Sequence, residues 1–156
     1  MMQEAMTIPA VRKSILVDAP VEQAFRVFTE GIATWWPLRT HSVAEERAET
    51  AVFEGGVGGR LYERTSDGKE HEWGRVLEWD PPRRIVYAWY PGRGDETSQE
   101  VEMHFTPTGE GTRVDLEHRG WERLGERGPE QRSNYDTGWD YVLGLYVEYA
   151  GRPGAG

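Results

Sequence analysis

The end of this chain carries one helical stripe that constrains everything before it. Tyr135, Trp139, Val142, Leu143, Tyr146, Val147 and Ala150 recur at i, i+4, i+7, i+8, i+11, i+12 and i+15, the spacing of a wide apolar helix face. Pro129 stands where such a helix tolerates proline, in its first turn. A stripe of this width needs a large partner along its whole length. The preceding sequence supplies one with a different period. From residue 49 apolar positions alternate, and tight-turn signals separate the runs: Gly55-Gly56 with Gly58-Gly59, Asp67-Gly68, Asp80-Pro81-Pro82 and Gly109-Glu110-Gly111. Val101, Met103 and Phe105 share one face of their run; Val114, Leu116 and His118 share another.

Strands are predicted over residues 11–17, 51–54, 60–65, 70–79, 84–90, 98–105 and 112–118. After the first, Pro20 opens a helix whose stripe is Val21, Ala24, Phe25 and Phe28, and a short helical segment over 32–36 ends at Pro37. Seven strands joined by hairpins and covered by one long helix make an α+β domain with an antiparallel sheet. If the sheet bends more than the helix can fill, a space remains between them. Residues 1–10 read as a flexible leader, 11–150 as a single domain, and 151–156 as a flexible tail. Gly138 and Gly144 lie inside the long helix at about 1 kcal/mol each against alanine, a signal of close approach by backbone or ligand.

Composition removes several functions. Eighteen basic against 27 acidic residues give a net charge of −9, which repels nucleic acid and anionic lipid. No apolar run approaches the roughly 18 residues of a membrane span, and no signal segment opens the chain. The absence of cysteine excludes disulfides, thiolate nucleophiles and cysteine zinc sites. A cytoplasmic domain without a cofactor is expected. Aromatic residues, at 12% with seven Trp, seven Tyr and four Phe, are the surplus to be explained.

Catalytic and metal motifs are sparse. His41, His71, His104 and His118 show no metal-ligand spacing, and no metal is expected. The first three read as surface residues, His104 from the polar face of its strand. His118 falls on the core side, where it either makes a structural hydrogen bond beneath Gly120-Trp121 or lines a pocket. Glu72 and Glu78 read as ion-pair partners of Arg75, Arg83 or Arg84. No serine sits in a nucleophile elbow. The glycines of residues 55–59 lack the Gly-Lys-Ser/Thr of a phosphate loop and read as a hairpin turn.

Residues 15–37 (ILVDAPVEQAFRVFTEGIATWWP) resemble the opening of the SRPBCC, or START-like, superfamily. The similarity is to the group related to the C-terminal domain of the activator of heat-shock-protein-90 ATPase. It continues through Val57-Gly58-Gly59-Arg60, residues 73–79 (WGRVLEW), residues 80–87 (DPPRRIVY), residues 116–121 (LEHRGW) and Gly138-Trp139. The resemblance implies a helix-grip (START/Bet v 1-like) fold: seven antiparallel strands wrapped around a C-terminal helix, with two short helices after strand 1. It also implies a hydrophobic ligand cavity, with enzymes a minority.

The expected function is non-catalytic binding of a small hydrophobic or aromatic molecule between sheet and helix. Trp73, Arg75, Leu77 and Trp79 share strand parity, so that face, if inward, carries one arginine among three large apolar groups. The expected ligand-binding set is Trp36, Tyr62, Trp73, Arg75, Tyr87, Trp89, His118, Trp121, Tyr135 and Trp139, with no catalytic residue assigned. Two alternatives stay open. One is a chaperone-interacting regulator, against which stands the lack of room for the activator's separate chaperone-binding domain. The other is a cyclase- or dehydratase-like enzyme using His118, or a tyrosine and arginine, as general acid. An exposed edge strand and the aromatic surplus allow a homodimer.

Overall fold

The computed structural model describes residues 8–153, and among them seven strands and three α-helices form. Strand β1 (Val11–Val17) is followed by helices α1 (Val21–Phe28) and α2 (Ile32–Trp35). Then come β2 (Ala48–Phe53), β3 (Arg60–Thr65), β4 (Glu70–Asp80), β5 (Arg84–Trp89), β6 (Gln99–Thr108) and β7 (Gly111–Arg119), and last α3 (Gly128–Ala150). The seven strands form one antiparallel sheet in the order β1-β7-β6-β5-β4-β3-β2. Only β1 crosses to a distant partner, so β1 and β2 are the two edges. This is the helix-grip arrangement.

The alternation of β6 and β7 works as read. Val101, Met103, Phe105, Val114, Leu116 and His118 are all buried, on the face that α1 and α3 cover. Along α3, Trp139, Val142, Leu143, Tyr146 and Ala150 are buried, and the Tyr146 hydroxyl donates to the Ala24 carbonyl of α1 at 2.5 Å. That bond joins the two helices over the sheet.

Strand β4 departs from simple parity. Its pairing with β3 steps from Leu61↔Gly74 to Tyr62↔Glu72, leaving Trp73 as an extra residue. Its pairing with β5 steps from Val76↔Tyr87 to Glu78↔Val86, leaving Leu77 extra. Each bulge shifts the alternation by one position and bends the strand. The shared parity of Trp73, Arg75, Leu77 and Trp79 is therefore broken. Trp73 is buried, but Arg75 points outward and pairs with Glu72 at 3.3 Å; Leu77 is 42% exposed. Gly74 and Val76 take the inward places instead. At Gly74 a Cβ atom would lie 1.8 Å from the Ala88 carbonyl oxygen, so the tight crossing of β4 and β5 requires glycine.

Of the expected leader and tail, residues 8–10 and 151–153 are among the described residues. Ile8 packs against the core, and the Arg132 guanidinium of α3 donates to the Pro9 and Ala10 carbonyls at 2.6 and 3.1 Å. At the other end Arg152 pairs with Glu148 at 3.2 Å. Isolated alternation cannot register contacts made from α3. The rest of the predicted leader and tail, residues 1–7 and 154–156, lies outside the described residues. Among the described residues, no helix is long and apolar enough to cross a membrane.

Candidate functional site

Three segments enclose a cavity of about 550 Å³. The connector between α2 and β2 contributes Thr40, His41, Ser42 and Val43; the β4 and β5 strands and the turn after them contribute Trp73, Trp89, Pro91 and Gly92. Helix α3 adds Asn134, Tyr135, Gly138, Trp139 and Val142, and Trp36 stands where α2 ends. Thr40, Val43, Gly92 and Asn134 are exposed and form the rim, whereas the tryptophans are buried and form the walls.

The four wall indoles are close neighbours. Trp36 lies 5.2 Å from Trp73, 6.1 Å from Trp89 and 6.2 Å from Trp139 between ring centroids. Trp89 lies 5.8 Å from Trp73 and 6.5 Å from Trp139. Each spends its N–H on the protein. Trp36 donates to the His41 carbonyl at 2.8 Å and Trp73 to the Glu63 carboxylate at 2.6 Å. Trp89 donates to the Tyr135 hydroxyl oxygen at 3.0 Å, and Trp139 to Nδ1 of His118 at 2.9 Å. The walls therefore present ring faces and carbon edges to the space between them.

The expected set divides by position. Trp36, Trp73, Trp89, Tyr135 and Trp139 meet around the cavity. Tyr87, His118 and Trp121 are fully buried behind it. Tyr62 and Arg75 stand on the outer side of the sheet: Tyr62 alternates with inward Leu61 and Glu63 and lies beneath the Arg60 guanidinium, 4.1 Å from ring centre. The bulge at Trp73 and the parity of β3 turn these two away from the cavity.

His118 sits one layer behind the wall. Its ring lies 4.2 Å from that of Trp121, whose own N–H donates to the His118 carbonyl at 3.0 Å. Burial, with a smaller push from Arg93, holds the imidazole down to about 3, so it is neutral at ordinary pH. Because Nδ1 accepts from Trp139, the ring proton belongs on Nε2, and among the described residues Nε2 has no partner. The structural hydrogen bond is thus to an indole of α3. Burial likewise raises the Tyr87 phenol. It also raises the Tyr135 phenol, with the Trp89 N–H and Arg93 pulling partly back.

Sequence reasoning misses Glu63, which is 0% exposed. One carboxylate oxygen accepts from Trp73 and from the Val43 backbone N–H at 2.6 Å each; the other accepts from the Ala44 N–H at 2.8 Å. It ties the connector to the cavity wall. The inward parity of Leu61 is the signal that marks it. His41, expected at the surface, lines the mouth and stacks on Tyr141 with centroids 5.2 Å apart; a connector without periodicity gives no sign of that. A Cβ atom at Gly138 would meet nothing within 4 Å, the open space being the cavity itself. Gly144 is exposed with nothing near it, so neither glycine answers a close approach.

The carboxylates on the outer face are paired as read: Glu72 with Arg75, and Glu78 with Arg84. Among the described residues, no three His, Asp or Glu side chains converge as metal ligands.

A family model described as activator of Hsp90 ATPase homolog 1-like protein matches residues 18–149. The chain is similar to an anthrahydroquino-gamma-pyrone synthase, Txn09, solved in complex with SUM: 38% identity over 91% of this chain and 97% of that one, TM-score 0.64. It is also similar to CalC, a self-sacrificing resistance protein of Micromonospora echinospora, at 29% identity over 91% and 94%, TM-score 0.65. The Aha1 dimer of Colwellia psychrerythraea matches at 15% identity over 93% and 99%, TM-score 0.68, a likeness of fold alone. No curated protein sequence matches the chain with significance.

Proposed function

The chain belongs to the activator of Hsp90 ATPase homolog 1-like family, and within it we propose that this domain binds a flat aromatic molecule in the cavity between sheet and α3. The observation that carries the reading is the wall of four tryptophans with committed N–H groups. A space of about 550 Å³ lies within the usual 300–1,000 Å³ of small-molecule sites. Indole faces at this spacing reward ring stacking, at about 0.5–1.5 kcal/mol per pair beyond area burial. The 38% identical neighbour is named as an anthrahydroquino-gamma-pyrone synthase, which supports a polycyclic ligand.

Native mass spectrometry of the purified protein reads retained ligand and oligomeric state together. Titration with anthraquinone-2-sulfonate is expected to quench tryptophan emission with saturation in the micromolar range. No retained mass and no quenching by any flat aromatic probe overturns the reading.

A second reading, ring closure of the bound molecule, is favoured by the same identity to a synthase. Faster gamma-pyrone formation from an anthrahydroquinone precursor with protein than in buffer supports it; equal rates reject it. A chaperone-regulator role draws only on the family description and on a neighbour at 15% identity, which speaks for the fold.

A further inference from the structure

We infer that the cavity selects aromatic ligands bearing a carbonyl-type oxygen, and that the Tyr135 hydroxyl is the group that receives it. The inference rests on the aromatic-binding reading and adds a chemical class to it.

An apolar cavity needs few polar groups to set specificity, provided they are unspent. The wall indoles are spent on Glu63, His41, Tyr135 and His118. Near the mouth, the Ser42 hydroxyl donates to the Leu38 carbonyl at 2.5 Å, and Thr40 Oγ1 bonds Nδ1 of His41 at 2.7 Å. The Asn134 amide stands exposed at the rim. Tyr135 differs from all of these. Its oxygen accepts the Trp89 N–H at 3.0 Å, and among the described residues its own hydrogen has no acceptor. A phenol both donates and accepts, so the side chain keeps one donor in reserve beside the tryptophan walls.

Trp89 also prepares that donor. A hydroxyl whose oxygen already accepts a hydrogen bond donates more strongly through its own hydrogen, since bonds in a chain polarise one another. The indole holds the phenol in place from the sheet while α3 presents it to the cavity. A ligand oxygen with lone pairs, as in a quinone or aryl ketone, completes the chain Trp89–Tyr135–ligand. A hydrocarbon of the same outline stacks on the same walls and leaves the donor unsatisfied.

The test compares anthraquinone-2-sulfonate with anthracene-2-sulfonate, which share outline and charge but differ in the quinone oxygens. The wild-type protein is expected to prefer the quinone about 3- to 10-fold, the worth of one ordinary hydrogen bond. Tyr135→Phe is expected to bring the ratio of the two affinities to about one, whatever the change in each, and a wild-type-like far-ultraviolet circular dichroism spectrum and cooperative melting check that the variant is folded. The quinone carbonyl stretch in the infrared is expected to move to lower frequency on binding wild-type protein and not on binding Y135F. Equal affinity for both probes in the wild-type protein, or a preference that survives in Y135F, overturns the inference and leaves the aromatic-binding reading standing. Binding of neither probe overturns both.

Discussion

Trp139 donates its indole N–H to Nδ1 of His118 across 2.9 Å, and this bond joins α3 to the innermost face of β7. It sets the imidazole tautomer and fixes the orientation of one cavity wall. The histidine is therefore a support for the wall. A general acid drawn from it would need a proton that burial withholds until about pH 3.

That burial makes stability depend on pH with a definite sign. Folded His118 titrates near 3 against an ordinary 6.5, so between those values the unfolded chain binds the extra proton. Its contribution is complete above pH 6.5 and is lost as pH falls toward 3, with a slope of at most about 1.4 kcal/mol per pH unit. Urea midpoints from pH 7 to 5 are expected to fall in the wild-type protein and to fall less in His118→Gln. Parallel curves in the two proteins would refute the assignment.

A second, lower window belongs to the outer face of the sheet. Burial raises Glu102, but hydrogen bonds from Arg119, His104 and Arg84 outweigh it and hold the carboxyl at about 2. Its contribution is present above pH 4.5 and lost as pH falls toward 2. Glu102→Gln is expected to lower stability above pH 5 by a roughly constant amount and to flatten the curve below pH 4.5, as read from urea titrations at each pH.

Glu63→Ala removes the acceptor for three N–H groups at once. The cost is expected to reach about 1–3 kcal/mol for each donor left buried and unpaired. Hydrogen exchange is expected to accelerate first at Val43 and Ala44, ahead of global unfolding, because their amides lose the Glu63 carboxylate that ties them to the sheet. Uniform acceleration across the sheet would argue against a local tie.

Gly138 and Gly144 form a matched pair within one helix. Replacing either by alanine is expected to stabilise the protein by up to about 1 kcal/mol, since both stand in a helix with open space around them. Gly138→Leu, however, is expected to occupy the cavity and abolish quenching by anthraquinone-2-sulfonate, whereas Gly144→Leu leaves it intact. Melting temperatures and titrations on the four variants check this directly.

The sheet and α3 were legible because their periods are long and uninterrupted. Met103 beside Phe105 and Trp139 beside Val142 declare their faces without help. Arg75 lies outside the parity of its strand because a bulge is a one-residue insertion against a partner strand, and pairing cannot be read from one strand alone. The cavity mouth was illegible for a different reason. Val43 and His41 owe their positions to Glu63 and Tyr141, contacts between residues far apart in sequence that no local pattern encodes. Parity and aromatic richness mark the four wall tryptophans and Tyr135, whereas Glu63, the acid that anchors Trp73, escapes notice because a carboxylate suggests solvent.

The four wall indoles also have an optical consequence. Rings held 5 to 6.5 Å apart at fixed tilts share their electronic excitation, and a chiral arrangement of such oscillators gives paired bands of opposite sign in circular dichroism. The cavity wall thus carries a built-in spectral label, and a guest that stacks on the rings rewrites it without any dye attached.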